Sequence, residues 1–204
     1  ASYDYYRDEF QCCYGDLAET LCELGDKKWA KKIYKAAEDK IDRCQLDQTF
    51  YINLASDLCD YLGDKGWAKK VCKKVEESED DLCSLADMLF RQLGDKGWAR
   101  KVYKKVENDA EEVYEFMILA NSLCEMLGDK EWAKKICKKA EAKSESSDDF
   151  ISLADSLCEK LDDKEWAKKL YKKSEGKAED SSELINLADS LCEKLDDKEW
   201  AKKL

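Results

Sequence analysis

From Phe150, the apolar positions Leu153, Ala154, Leu157, Cys158 and Leu161 fall at offsets of 3, 4, 7, 8 and 11, which is the stripe along one face of a helix. After a polar break, Trp166, Ala167, Leu170, Tyr171 and Ser174 repeat the three-and-four spacing. Lys168, Lys169, Lys172 and Lys173 lie off that stripe. Two amphipathic helices in succession are predicted. No segment alternates with period two for long enough to form a sheet, so the predicted class is all-α.

The helix pair is a repeating unit. All six Trp (Trp29, Trp67, Trp98, Trp132, Trp166 and Trp200) share one context, at spacings of 38, 31, 34, 34 and 34. The segment from Leu153 to Leu170 recurs unchanged from Leu187 to Leu204. Self-similarity at this period marks a stacked array, and residues 1–204 read as a single array that stops inside a second helix.

Local chemistry marks the ends of each helix. Gly25, Gly63, Gly94 and Gly128 each follow a Leu, where a left-handed residue ends the first helix. Asp26, Asp64, Asp95 and Asp129 come next, placed to cap the second helix. In the last two units Asp162 and Asp196 stand where the others have Gly, at some cost in strain. Asn108 with Glu111, and Asp180 with Glu183, have the spacing of a capping box for the next first helix. The junction near Arg43 is four residues longer than standard, and that near Ser78 is three shorter. Such changes add or remove about one helical turn and keep the apolar face. The first unit also lacks one residue between Leu17 and Trp29.

This pattern resembles the tetratricopeptide repeat. Leu153-Ala154 resembles that family's Leu-Gly pair, and Leu157 its next large residue. Ala167, Tyr171 and Ser174, and more closely Ala30, Tyr34 and Ala37, resemble its second-helix Ala–aromatic–Ala series. The chain departs from the family in having no Pro, a Trp at a site usually polar, and in most units one extra residue before the turn. The resemblance implies an α-solenoid of about six antiparallel helix pairs in a right-handed superhelix. It also implies a binding scaffold whose first helices line a concave groove.

Composition removes several chemistries. The 204 residues contain no His, so Ser-His-Asp and Cys-His catalysis and His-ligated metals are excluded. The net charge of −11 argues against nucleic acid or an anionic membrane as partner. No apolar run approaches the ~20 residues of a membrane-spanning helix.

Two features carry candidate function. Cys22, Cys59, Cys124, Cys158 and Cys192 share one repeat position, and Cys72 and Cys137 alternate with Tyr34, Tyr103 and Tyr171 at another. They read as small core residues or as thiol ligands for a soft metal, and the adjacent Cys12 and Cys13 are candidate reactive thiols. The first helices also carry acids in two rows: Glu19, Asp57, Asp87, Asp155 and Asp189, then Glu23, Asp60, Glu125, Glu159 and Glu193. The second helices carry Lys pairs instead. The rows read as a solvated ladder or as a groove for basic segments, with Asp57, Asp60, Asp155, Glu159, Asp189 and Glu193 as its candidate contacts. The Trp stripe reads as packing between neighbouring units.

The leading expectation is a non-enzymatic protein–protein scaffold, without cofactor, for basic segments of a partner. The alternatives are a structural protein that stacks end to end with copies of itself, and a thiol-based metal binder. Unpaired Cys usage favours a reducing compartment such as the cytoplasm. A start without Met is compatible with a removed signal peptide and secretion.

Overall fold

The computed structural model describes residues 14–44, 48–78 and 81–204. Twelve helices and no strand are found among them. In chain order these are α1 (Asp16–Glu23), α2 (Lys27–Cys44), α3 (Gln48–Asp57), α4 (Lys65–Ser78), α5 (Leu82–Arg91) and α6 (Lys96–Asp109). There follow α7 (Val113–Ser122), α8 (Lys130–Lys143), α9 (Ser147–Ser156), α10 (Lys164–Glu175), α11 (Ser181–Leu195) and α12 (Lys198–Ala201). The architecture is all-α and solenoid-like, with helix pairs packed in contact. Contacts gather the chain into two compact units, one ending at Lys105 and one beginning at Val106, and α6 runs through the division.

Within the first unit, α1 packs on α2 and α3 on α4. Within the second, α7 packs on α8, α9 on α10 and α11 on α12. Small residues let each pair close. Ala30, Ala68, Ala99, Ala133 and Ala167, each following a Trp, are fully buried, as are Ala18, Ala55, Ala86 and Ala154 on the first helices. Leu58, Leu89, Leu123, Leu157 and Leu191 fill the seam at 0% exposure. Each such burial contributes roughly 2 kcal/mol.

The turn inside each pair explains the extra residue counted in the sequence. In the first pair the Asp26 N–H donates to the Leu21 carbonyl (2.8 Å) and the Gly25 N–H to that of Cys22 (3.0 Å), the Schellman arrangement. In the second, the Asp64 N–H reaches one residue further back, to Leu58 (2.8 Å). Asp129 reaches Leu123, Asp163 reaches Leu157 and Asp197 reaches Leu191 in the same way (3.0–3.1 Å). The added residue widens the last turn to π-type bonding over Leu58–Leu62, Leu123–Leu127 and Leu157–Leu161, and the seam Leu stays inward.

All six turn Asp side chains cap the next helix by accepting the N–H of the Trp three residues on (3.0–3.2 Å), from Asp26 with Trp29 to Asp197 with Trp200. Asp162 and Asp196 take the left-handed conformation at φ 53° and 54°. The long junction adds a turn to α2, which has 18 residues against 14 in α4. The short junction removes the first turn of α5, which starts three residues before Leu85, whereas α9 starts six before Leu153. The capping box expected at Asn108 is displaced. The helix continues through Asp109, and the Glu115 carboxylate accepts the N–H groups of Glu111 (2.8 Å) and Glu112 (2.9 Å).

Candidate functional site

Wherever a second helix carries Tyr against a first-helix Asp, the two are joined. The Tyr171 hydroxyl donates to Asp155 Oδ1 (2.5 Å), and the Tyr103 hydroxyl donates to Asp87. Ser190 adds a second donor to Asp155 (3.1 Å). Burial raises the Asp155 carboxyl above its usual range, and these donors with Lys194 partly offset it. In the unit centred on Trp132 the Tyr is replaced by Cys137 and the acid by Asn121, whose carboxamide oxygen accepts from Ser156 (2.7 Å). Loss of the hydroxyl there goes with loss of the charge.

The unit centred on Trp67 follows the same rule, with Cys72 for the Tyr and Ser56 for the acid. Its Asp57 stands one residue later, where the second unit has Ser156 and Ser190. The first-pair acid, Glu19, accepts from Tyr61 (2.5 Å), and the Tyr34 hydroxyl is buried with no hydrogen-bond partner. Asp57 is pushed up to about 6, first by burial and then by the like charges of Glu19, Asp60 and Asp16.

The second acid row also differs between the units. In the second unit Glu125 pairs with Lys160 (2.6 Å) and Glu159 with Lys194 (2.7 Å), each Lys coming from the next first helix. The first unit has Leu24, Tyr61 and Gln92 where those lysines stand. Among the described residues, Asp16, Glu19, Asp57 and Asp60 take part in no ion pair of the first unit. Of the six acids singled out in the sequence, Asp57 is thus half-buried and Asp60 exposed in the first unit. Asp155 and Glu159 serve internal bonds in the second. Asp189 and Glu193 are exposed there, with Glu193 3.7 Å from Lys194.

The Trp stripe binds consecutive second helices together. The Trp67 indole N–H donates to Glu38 (3.1 Å), and Lys74 holds that carboxylate from its other oxygen (2.9 Å). Trp132 with Lys139 on Glu107, and Trp166 with Lys173 on Glu141, repeat this clasp at 2.6–2.8 Å. Trp98 donates to Glu76 and Trp200 to Glu175. Glu38 is buried, which alone would raise its carboxyl, but Lys35, Lys74 and Trp67 outweigh this and hold it below the usual range. The second-helix lysines therefore do not form a uniform solvated face. In three pairs the first lysine bridges to the next capping Asp: Lys31 to Asp64 (2.8 Å), Lys69 to Asp95 (3.2 Å) and Lys134 to Asp163 (3.1 Å).

Cys22, Cys59, Cys124, Cys158 and Cys192 are free, half-buried thiols, and Cys72 and Cys137 are free and buried. Burial pushes Cys72 and Cys137 up to about 12, and Cys59, Cys124 and Cys158 in the same direction, so these thiols are protonated and weakly nucleophilic at neutral pH. Among the described residues no three Cys, Asp or Glu side chains converge as a metal site. Cys12 and Cys13 lie outside the described residues. No described helix is long and apolar enough to cross a membrane. No family model matches the chain, and no curated protein matches it.

Proposed function

We propose that the chain is a non-enzymatic interaction scaffold that holds a Lys- or Arg-rich segment of another protein against the face lined by its first helices. The observation that carries this reading is the cluster of Asp16, Glu19, Asp57 and Asp60. Among the described residues these four acids of the first unit make no ion pair, and burial first, then their like charges, push the Asp57 carboxyl up to about 6. An incoming cation removes this repulsion. Individual exposed contacts contribute only ~0.2–1 kcal/mol, so affinity depends on several contacts and on apolar anchoring. The tetratricopeptide-like reading of the repeats agrees with this use of the first-helix face.

The test is titration of the whole chain with a Lys-rich peptide and its Gln counterpart. Binding of the first only, weakening between about 0.05 and about 0.5 M salt, is expected. Asp60→Asn should weaken it, and Lys32→Gln on the second helices should not. Equal binding of both peptides would end the proposal.

A second reading, end-to-end stacking with further copies, is favoured by one observation in each unit. Ile185 is 60% exposed, whereas Ile52 and Ile151 at the same repeat position are 8% and 7% exposed. Trp29 is 56% exposed, while the later Trp residues are half-buried. Light scattering that shows growth with concentration, abolished by Ile185→Lys, would favour stacking over the scaffold.

A further inference from the structure

Deepening the reading above, we infer that the cavity between Tyr34 and Asp57 is an anchor pocket for the ammonium group of one lysine side chain of the bound segment. The cavity has a volume of about 50 Å³ and is lined by Tyr14, Tyr34, Phe50, Asn53, Leu54 and Asp57 among others. A water needs ~10–15 Å³ by this measure, so the space takes an ammonium head with its last methylenes.

The chemistry of its wall selects that group. The Tyr34 side chain is 1% exposed, and its hydroxyl has no hydrogen-bond partner in the protein. A buried hydroxyl left this way is costly, and every other described Tyr of its row is matched to an Asp. Asp57, on the same cavity, stands at the repeat position of Ser156 and Ser190. A carboxylate there takes the place of a hydroxyl donor and is left without a donor of its own. The two unmatched groups therefore face one space, and an ammonium satisfies both by donating to the Asp57 carboxylate and to the Tyr34 oxygen. Tyr14 and Phe50 line the same space, and Leu54 supplies apolar surface for the methylenes. The nearest charges around Asp57 are those of Glu19, Asp60 and Asp16, all of the sign that attracts a cation. A guanidinium is planar and wider and presents its donors as a fork, so the pocket prefers Lys over Arg, the reverse of an open acidic surface.

The experiment is calorimetric titration of the full chain with a short capped peptide alternating Lys and Ala, with its Arg counterpart, and with n-butylammonium. The expected results are tighter binding of the Lys peptide than of the Arg peptide and competition by n-butylammonium. Roughly tenfold weakening is expected in Asp57→Asn and about threefold in Tyr34→Phe, against less than about twofold in Asp189→Asn. Thermal unfolding of each variant confirms that it is folded, and Tyr34→Phe removes only an unpartnered hydroxyl. Equal weakening by Asp57→Asn and Asp189→Asn, or an Arg peptide that binds as well as Lys, would overturn the anchor while leaving the acidic-face reading standing. Saturation by n-butylammonium without peptide binding would overturn the polypeptide occupant. No binding of any of the three would overturn both readings.

Discussion

Asp57 in the first unit and Asp155 in the second are half-buried acids one repeat position apart, and their surroundings are opposite. Asp155 accepts from Tyr171 and Ser190 and has Lys194 nearby. Asp57 has no such donor and lies among Glu19, Asp60 and Asp16. The difference arises from side chains: Cys72 and Ser56 replace the Tyr and its Asp, and Asp57 stands at the position of Ser190, where it brings a second charge to Glu19 in place of a hydroxyl donor. A repeat array thus conserves packing at its Leu and Ala positions and leaves the polar positions free to vary. In the second unit the charges close on one another. In the first they remain open, which is why the proposed binding site is placed there.

The largest test of this comparison concerns the clasps, where the order reverses and the first unit is the better satisfied. Glu38 has a side chain only 6% exposed and accepts from Trp67, Lys35 and Lys74. Its equivalent Glu141 is 24% exposed and accepts from Trp166 and Lys173. Glu38→Ala should cost about 3 kcal/mol, because it removes a buried carboxylate and strands a half-buried indole N–H and two ammonium groups, and Glu141→Ala about 1 kcal/mol. Chemical denaturation at pH 7 measures both. Since the folded state lowers the Glu38 carboxyl, its contribution is present above the unfolded value near 4.5 and is lost as pH falls through the folded one. The cost of Glu38→Ala should therefore shrink below pH 4.

The hydroxyl pairs come next. Tyr171→Phe removes the donor to a half-buried Asp155 and should destabilise by about 1–2 kcal/mol, with Tyr103→Phe similar. Tyr34→Phe removes a hydroxyl that bonds to nothing and should change stability by less than about 0.5 kcal/mol, or raise it. If all three cost the same, the hydroxyls differ less than their geometry shows, and the contrast between the units fails.

How far these contrasts were legible in the sequence depends on what kind of information each needed. Helix pairs, Asp caps and left-handed turns follow from periodicity and local chemistry, and they stand as read at Leu153, Asp129 and Asp162. The added turn of α2 and the lost turn of α5 follow from counting residues. The Asn108 box was misplaced because α6 has no stop signal before Asp109, and Glu112, not a usual cap, begins α7. The Tyr–Asp pairing was missed because it joins two rows that were considered separately. One signal was present: Cys137 accompanies Asn121 and Cys72 accompanies Ser56, so the acid is absent where the Tyr is. The Lys160 and Lys194 bridges were missed because the second acid row was read without the residue that follows it. Where Lys follows the Glu, the ladder neutralises itself.

A smaller effect lies in the pH dependence of Asp57. Its folded carboxyl sits near 6, above the unfolded value, so the folded state takes up a proton there as pH falls from about 7 to about 4. Asp57 therefore opposes folding when ionised, and its penalty is absent below the unfolded value. Asp57→Asn should stabilise the chain at pH 7.5 by less than about 1 kcal/mol, since the side chain is partly solvated, or about 1–4 °C in Tm. At pH 4 the gain should vanish. A gain that persists at pH 4 would locate the effect in packing and not in charge. The same substitution weakens the proposed lysine contact, so stability and binding should move in opposite directions.

The smallest effect lies in the turns, where the second unit is the strained one. Asp162 and Asp196 hold φ at 53° and 54°, a conformation that costs an L-residue about 1 kcal/mol, whereas the first unit uses Gly25, Gly63 and Gly94. A Cβ at those three glycines meets nothing within 4 Å, so the Asp is penalised by its backbone conformation and not by a clash. Asp162→Gly relieves that strain but loosens the unfolded chain, and the two terms leave a net gain of about 0.5 kcal/mol. Gly63→Asp should cost a similar amount in the first unit. Because the turn bond from Asp163 to Leu157 is made by backbone groups, neither substitution should move the seam Leu. A loss on Asp162→Gly would mean that the Asp side chain contributes through its charge, the one term the backbone comparison leaves out.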